Sequence, residues 1–142
     1  MLQETFTLII KKPREEVFRS LTDFDHFAKT VGDKAKVERV SGKGLGEVIR
    51  IKTQQAGAPE LLCTTTEWDP PSRCTRRLDL PDLPTTVAFT LGNCPEGTTL
   101  KVDLTMEPKS MIYKMLIPML QQKIKEEKEK TKDLLQKRLG AQ

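Results

Sequence analysis

Met111-Ile-Tyr-Lys-Met-Leu-Ile-Pro-Met-Leu120 opens the stretch from Lys109 to Leu139, and its reading decides the fold. Lys114 is the only charge in these ten residues, so a helix built from them has no polar face and is expected to be buried on every side. From Gln121 onward the pattern changes. Ile124, Leu134, Leu135 and Leu139 are apolar points among Lys and Glu, so most of that circumference should face water. At 1.5 Å per residue the stretch would run roughly 45 Å, longer than a small domain is wide. Pro118 lacks a backbone donor and crowds the turn before it, which predicts a kink or a fresh helix start near Ile117.

Working outward, the residues before this rod read as its grip. Thr98 to Met106 alternates Leu100, Val102, Leu104 and Met106 with polar residues, the mark of a half-buried strand. Five further strand patterns precede it: Thr85 to Leu91, Arg73 to Leu80, Glu60 to Trp68, Glu47 to Thr53 and Lys34 to Val40. Breakers separate them: Asn93-Cys-Pro-Glu-Gly97, Pro81 with Pro84, Asp69-Pro-Pro-Ser72, Gly57-Ala-Pro59 and Ser41-Gly-Lys-Gly-Leu-Gly46. At the start of the chain Phe6, Leu8 and Ile10 alternate within Glu4 to Lys12. Pro13 suits the first position of a helix, Arg14 to Leu21, whose Val17, Phe18 and Leu21 form one stripe. Asp23 can cap a second short helix, Phe24 to Val31, ended by Gly32. One strand, two short helices, six strands at hairpin spacing and a long helix argue for class α+β. A seven-stranded antiparallel sheet of this kind curls, and Met111 to Leu120 is the segment apolar enough to cover its concave face.

The chain of 142 residues is expected to form one domain over residues 1–142. Its composition, 37% apolar and 31% charged, is that of a soluble protein; it has no membrane-length apolar run, and its opening residues predict no signal peptide. Cys63, Cys74 and Cys94 make an odd count without C-x-x-C spacing, which points to free thiols, no metal site and a cytoplasmic location. The net charge of +4 is uneven: residues 109–142 carry +5 and residues 1–108 carry −1. A basic helix of this kind could meet an anionic membrane or a protein partner, or could be a solvated face laced with Lys–Glu pairs. It has no interleaved aromatics for base stacking, so nucleic acid is not expected as a partner.

Four motifs in sequence carry a resemblance: Ile10-x-x-Pro13-x-x-x-Val17-Phe18 with Leu21-Thr-Asp23, Gly42-x-Gly44-x-Gly46, Thr66-Glu-Trp-Asp-Pro-Pro71, and Glu96-Gly-Thr-Thr-Leu100. With the terminal helix, they resemble the START/SRPBCC (pollen-allergen-like) superfamily, and within it the polyketide cyclase/dehydrase and lipid-transport branch. The resemblance spans nearly the whole chain. It implies a helix-grip architecture, a seven-stranded antiparallel sheet wrapped round the C-terminal helix with an internal cavity for a hydrophobic ligand.

Strand alternation assigns Leu8, Ile49, Ile51, Thr66, Trp68, Leu78, Val87, Phe89, Leu91, Val102 and Leu104 to the cavity side, with Phe24, Phe27, Met111, Met115 and Met119 completing the wall. Packed solidly, the same residues would be plain core. Arg76 shares parity with Cys74 and Leu78, which aims its guanidinium inward; a register shift of one would place Arg77 there instead. A buried Arg needs a carboxylate or an anionic ligand, and Glu47, in parity with Ile49 and Ile51, is the candidate partner. His26, the only histidine, stands beside Asp25 and could serve as a general base at the cavity mouth, or could simply be solvated. The Gly42–Gly46 link lies in a hairpin, which rules out a nucleotide fingerprint and leaves a flexible gate as its use.

These residues favour a non-catalytic module that binds a hydrophobic small molecule or lipid without a cofactor, with Arg76 or Tyr113 orienting it. The alternative is a polyketide cyclase or dehydratase in which His26, Glu47 or Arg76 polarises a ketone or moves a proton. A further alternative is a membrane- or protein-interaction module acting through the basic helix.

Overall fold

The computed structural model describes residues 2–25, 28, 35–53 and 60–140. Seven strands fall where the alternation puts them: β1 (Leu2–Ile10), β2 (Ala35–Ser41), β3 (Val48–Thr53), β4 (Leu61–Asp69), β5 (Arg73–Leu78), β6 (Thr85–Cys94) and β7 (Gly97–Met106). Helix α1 (Arg14–Thr22) follows β1, and the terminal helix, α2 (Met111–Gly140), follows β7. The strand order is β1-β7-β6-β5-β4-β3-β2, and every pair is antiparallel. From β2 to β7 each strand pairs with its neighbours in sequence; β1 alone reaches across the chain, to β7. This is the α+β helix-grip architecture. The second short helix expected over Phe24 to Val31 lies for the most part outside the described residues, as do Gly32 and the turn at Gly57-Ala-Pro59.

Local chemistry explains how the first elements are fixed. Pro13, with φ −61° and ψ 149°, precedes the first turn of α1, and its carbonyl accepts the amides of Glu16 and Val17 at 3.1 and 3.0 Å. Glu15 and Glu16 sit at the positive end of the helix dipole and Arg19 at the negative end. Val17 and Phe18 are buried. The return from β6 to β7 passes Gly97 at φ +143°, where a Cβ would stand 2.4 Å from the Ile10 carbonyl oxygen. Only glycine permits that approach. Next to it, the Thr98 hydroxyl donates to the Lys12 carbonyl at 2.7 Å, locking the end of β1 against β7.

The core gathers Leu8 and Ile10 of β1, Val17 and Phe18 of α1, Cys74 of β5, Leu91, Leu100 and Val102 of β6 and β7, and Leu139 of α2. Helix α2 therefore docks through its C-terminal end, with Leu135 packed beside Leu139 and Gln136 donating to the Ile9 carbonyl at 3.0 Å.

Its other end corrects two expectations. Met111, Ile112, Met115 and Met119 are between 67% and 74% exposed, so the apolar segment is covered on one side and bare on the other. Tyr113, Leu116, Ile117, Leu120 and Ile124 are half-buried and make up the covered side. The reason lies in the partners: α2 packs on β1 and more lightly on α1, which together span only part of its circumference. The helix also runs unbroken through Pro118. Proline leaves the Lys114 carbonyl without its helical donor, but both residues face solvent, where water can supply one. No helix among the described residues is long and apolar enough to cross a membrane.

Candidate ligand-binding site

Residues opposite one another in a ladder share a face, so the register assigns the concave side directly. One transverse row runs from Thr65 on β4 through Arg76, Val87 and Leu104 to Glu4 on β1. Glu47, just before β3, extends it: its carbonyl accepts the Thr65 amide at 2.9 Å. The row is polar at the β3–β5 end and apolar across β6 and β7.

At the polar end Arg76 is 7% exposed and Glu47 4%. Arg76 Nη2 stands 3.7 Å from Glu47 Oε1 and donates to the carbonyl of Thr22, the last residue of α1, at 3.2 Å. The second carboxylate oxygen of Glu47 accepts from Arg39 Nε at 3.2 Å. Arg39 is also stacked on the ring of Phe24, 5.1 Å from guanidinium carbon to ring centre. Arg76 Nε is enclosed without an acceptor. Cys63 and Cys74 share this neighbourhood. Burial pushes both thiols above the ordinary 9.0, while the Arg76 charge pulls them back. Arg77, its neighbour in sequence, is exposed and pairs with Asp79 at 3.0 Å. Parity from Cys74 and Leu78 thus separates the two arginines.

The Gly42–Gly46 link holds Glu47 in place. The Gly46 amide donates to the Thr65 carbonyl at 2.9 Å and the Glu47 amide to the Gly44 carbonyl at 3.1 Å. Gly44, at φ +67°, lies so close to Trp68 that a Cβ there would sit 3.2 Å from the indole. Trp68 in turn meets Phe18 edge to face, with ring centres 5.1 Å apart. The link is thus braced on an aromatic pair.

The remaining candidates divide. Ile49, Leu91 and Val102 are 5% exposed or less and belong to the packed core. Ile51, Trp68, Phe89 and Leu104 are half-buried on the concave face, with Phe6, Leu78 and Val87. Thr66 is not in the wall. It is exposed, with its hydroxyl directed to the Thr75 carbonyl at 3.4 Å, because the β4–β5 register shifts between Thr65 and Glu67. That bulge turns Thr65, 2% exposed, inward in its place while leaving Trp68 inside. Met111, Met115 and Met119 stand on the solvent side of α2 and do not complete the wall. His26 and Phe27 lie outside the described residues.

Sequence reasoning missed Thr65 and Arg39. Alternation from Val37 reaches Arg39 and could have found it; the bulge that selects Thr65 leaves no mark in the residue pattern. A groove of about 540 Å³ also opens at the β2–β3 edge, lined by Ala35, Lys36, Val37, Glu38, Arg50 and Lys52 among others. It shares no residue with the predicted wall and is charged on its outer side. Among the described residues no group of His, Cys, Asp and Glu is arranged to hold a metal ion.

Comparison with known proteins agrees with this architecture. The model of the family described as polyketide cyclase / dehydrase and lipid transport matches residues 1–136. Among curated proteins no sequence matches. The structure is similar to the crystal structure of Ara h 8.0201, at 16% identity and TM-score 0.75, covering 99% of each chain. TTHA0849 from Thermus thermophilus is 22% identical with TM-score 0.72, covering 99% of this chain and 98% of that one. SA2116 from Staphylococcus aureus, a protein of unknown function, is 13% identical with TM-score 0.75, covering 97% and 93%. At these identities the likeness is one of fold, that of the START/SRPBCC superfamily.

Proposed function

This chain belongs to the polyketide cyclase / dehydrase and lipid transport family, and from that premise we propose that it binds a hydrophobic small molecule or lipid, without catalysis, between the curved sheet and α2. One observation carries the reading. Phe6, Val87, Phe89 and Leu104 lie on the concave face of β1, β6 and β7 and stay partly exposed, although Phe6, Val87 and Phe89 touch the core, while α2 is anchored mainly at its far end. Apolar side chains left open on the covered face of a sheet are what a small-ligand site presents. Each Å² of ligand surface they take from water would contribute about 25 cal/mol. Native mass spectrometry of the purified protein tests this. A co-purifying apolar molecule, or saturable uptake of a neutral apolar dye, supports it; an empty protein that takes up no dye refutes it.

The bare face of α2 favours a second reading, docking of the basic helix on an anionic membrane or a protein partner. Four large apolar residues stand clear of the core beside exposed Lys109 and Lys114. Sedimentation with vesicles containing phosphatidylserine, using Met115→Gln with Met119→Gln as the control, decides it; binding unchanged by the pair counts against this face. A cyclase or dehydratase would work through Glu47 and Arg76, and turnover of a supplied polyketone, abolished in Arg76→Met, is its test.

A further inference from the structure

We infer that the bound molecule is an apolar monocarboxylic acid whose carboxylate is received by Arg76, an inference that rests on the small-molecule reading above. The reason is a buried guanidinium that has only a share in its carboxylate. Two guanidinium groups, Arg39 and Arg76, share the single carboxylate of Glu47 at 3.2 and 3.7 Å, each facing a different oxygen. The other recorded hydrogen-bond partners of Arg76 are the Thr22 carbonyl, which as the C-terminal end of α1 brings only a partial negative charge, and the side chain of Cys74. The nearby thiols of Cys63 and Cys74 add no anion, since burial holds them protonated. Asp79 and Glu67, the other carboxylates that bear on Cys63 and Cys74, are paired with Arg77 and Arg73. Arg76 Nε, with no acceptor, marks the same deficit in acceptors. Arg39 is open to water at 35% side-chain exposure and lies on the Phe24 ring, so among the described residues the buried Arg76 is the group left with only a shared negative charge.

A monocarboxylate supplies an unshared charge in a planar, two-oxygen form that a guanidinium binds well. A ketone or alcohol would supply none, and a phosphate dianion would exceed it. The row continues from Arg76 to Val87 and Leu104, so an apolar tail running along it from the carboxylate lies over β6 and β7. Head and tail are thus recognised on adjoining strands.

The test compares laurate with its uncharged twin, methyl laurate, as displacers of the neutral dye N-phenyl-1-naphthylamine from the full chain. We expect laurate to bind about tenfold more tightly than the ester. Arg76→Met should take up the dye and the ester as before and lose the advantage of the acid. Equal displacement by acid and ester, or an acid advantage that survives in Arg76→Met, overturns the carboxylate assignment while leaving the cavity reading in place. Exclusion of the dye and both probes overturns both. Where Arg76→Met does not fold, equal displacement by acid and ester in the wild type still overturns the assignment.

Discussion

Arg76 on β5 and Glu47 before β3 meet across β4, Nη2 to Oε1 at 3.7 Å, with side chains only 9% and 5% exposed. Removing one partner strands a buried charge, so Glu47→Ala should cost about 3–5 kcal/mol. Arg39 would also lose its partner, but at 35% side-chain exposure it can turn to water. Glu47→Leu combined with Arg76→Met removes both buried charges together and should recover most of the loss. Urea denaturation of the three proteins measures this; a double variant as weak as Glu47→Ala would show that the pair is not the source of the cost.

The glycine link offers a second test. Gly44 and Gly46 both adopt positive φ, at +67° and +83°, but only Gly44 has Trp68 within reach of an added Cβ. Gly44→Ala and Gly46→Ala should each lose about 1–2 kcal/mol from backbone strain. Only the first should shift the fluorescence of Trp68, the single tryptophan of the chain.

The thiols set an alkaline limit. Cys63 and Cys74 are raised above the ordinary 9.0 by desolvation, so the folded state keeps protons that the unfolded state releases. A folded-state pKa above the unfolded value leaves stability intact below the unfolded pKa and erodes it as pH rises beyond. Unfolding free energy should therefore be flat to about pH 8 and decline above about pH 9. Cys63→Ala with Cys74→Ala should lower the neutral value and flatten the decline. Dithiobis-nitrobenzoate should label half-buried Cys94 first.

Anchoring of α2 at its far end predicts an asymmetry between two apolar positions of one helix. Leu139 is 3% exposed and Met115 74%. Leu139→Ala should cost about 2–4 kcal/mol, while Met115→Gln should fall within about 0.5 kcal/mol of wild type. Thermal unfolding of both variants is the check, and equal losses would mean the helix is held along its whole length.

Much of this was legible in the residues. Alternation located all seven strands to within a few positions, and parity placed Arg76 inside, Arg77 outside and Glu47 within reach. Parity failed at Thr66, where one extra residue in β4 reverses the count and no residue type announces it. It also failed on α2. Hydrophobicity says that a side chain gains from cover, but not whether a partner exists to give it, and β1 with α1 cover only the side bearing Tyr113, Leu116 and Leu120. Pro118 reads as a break only if its missing donor is weighed as though buried, whereas it lies in solvent. The shared use of Glu47 by Arg39 and Arg76 depends on side-chain geometry that alternation cannot supply.

The sheet order carries a consequence for how the molecule is made. Strands β2 to β7 can zip together in sequence as they leave the ribosome, each finding the partner that has just emerged. The first strand cannot. Leu2, Leu8 and Ile10 must wait for Met106, Leu100 and Thr98, and contacts so distant along the chain form slowly. Until then an apolar strand stays unpaired in the nascent chain, so a chaperone that holds such segments should matter more to its yield than to its final stability.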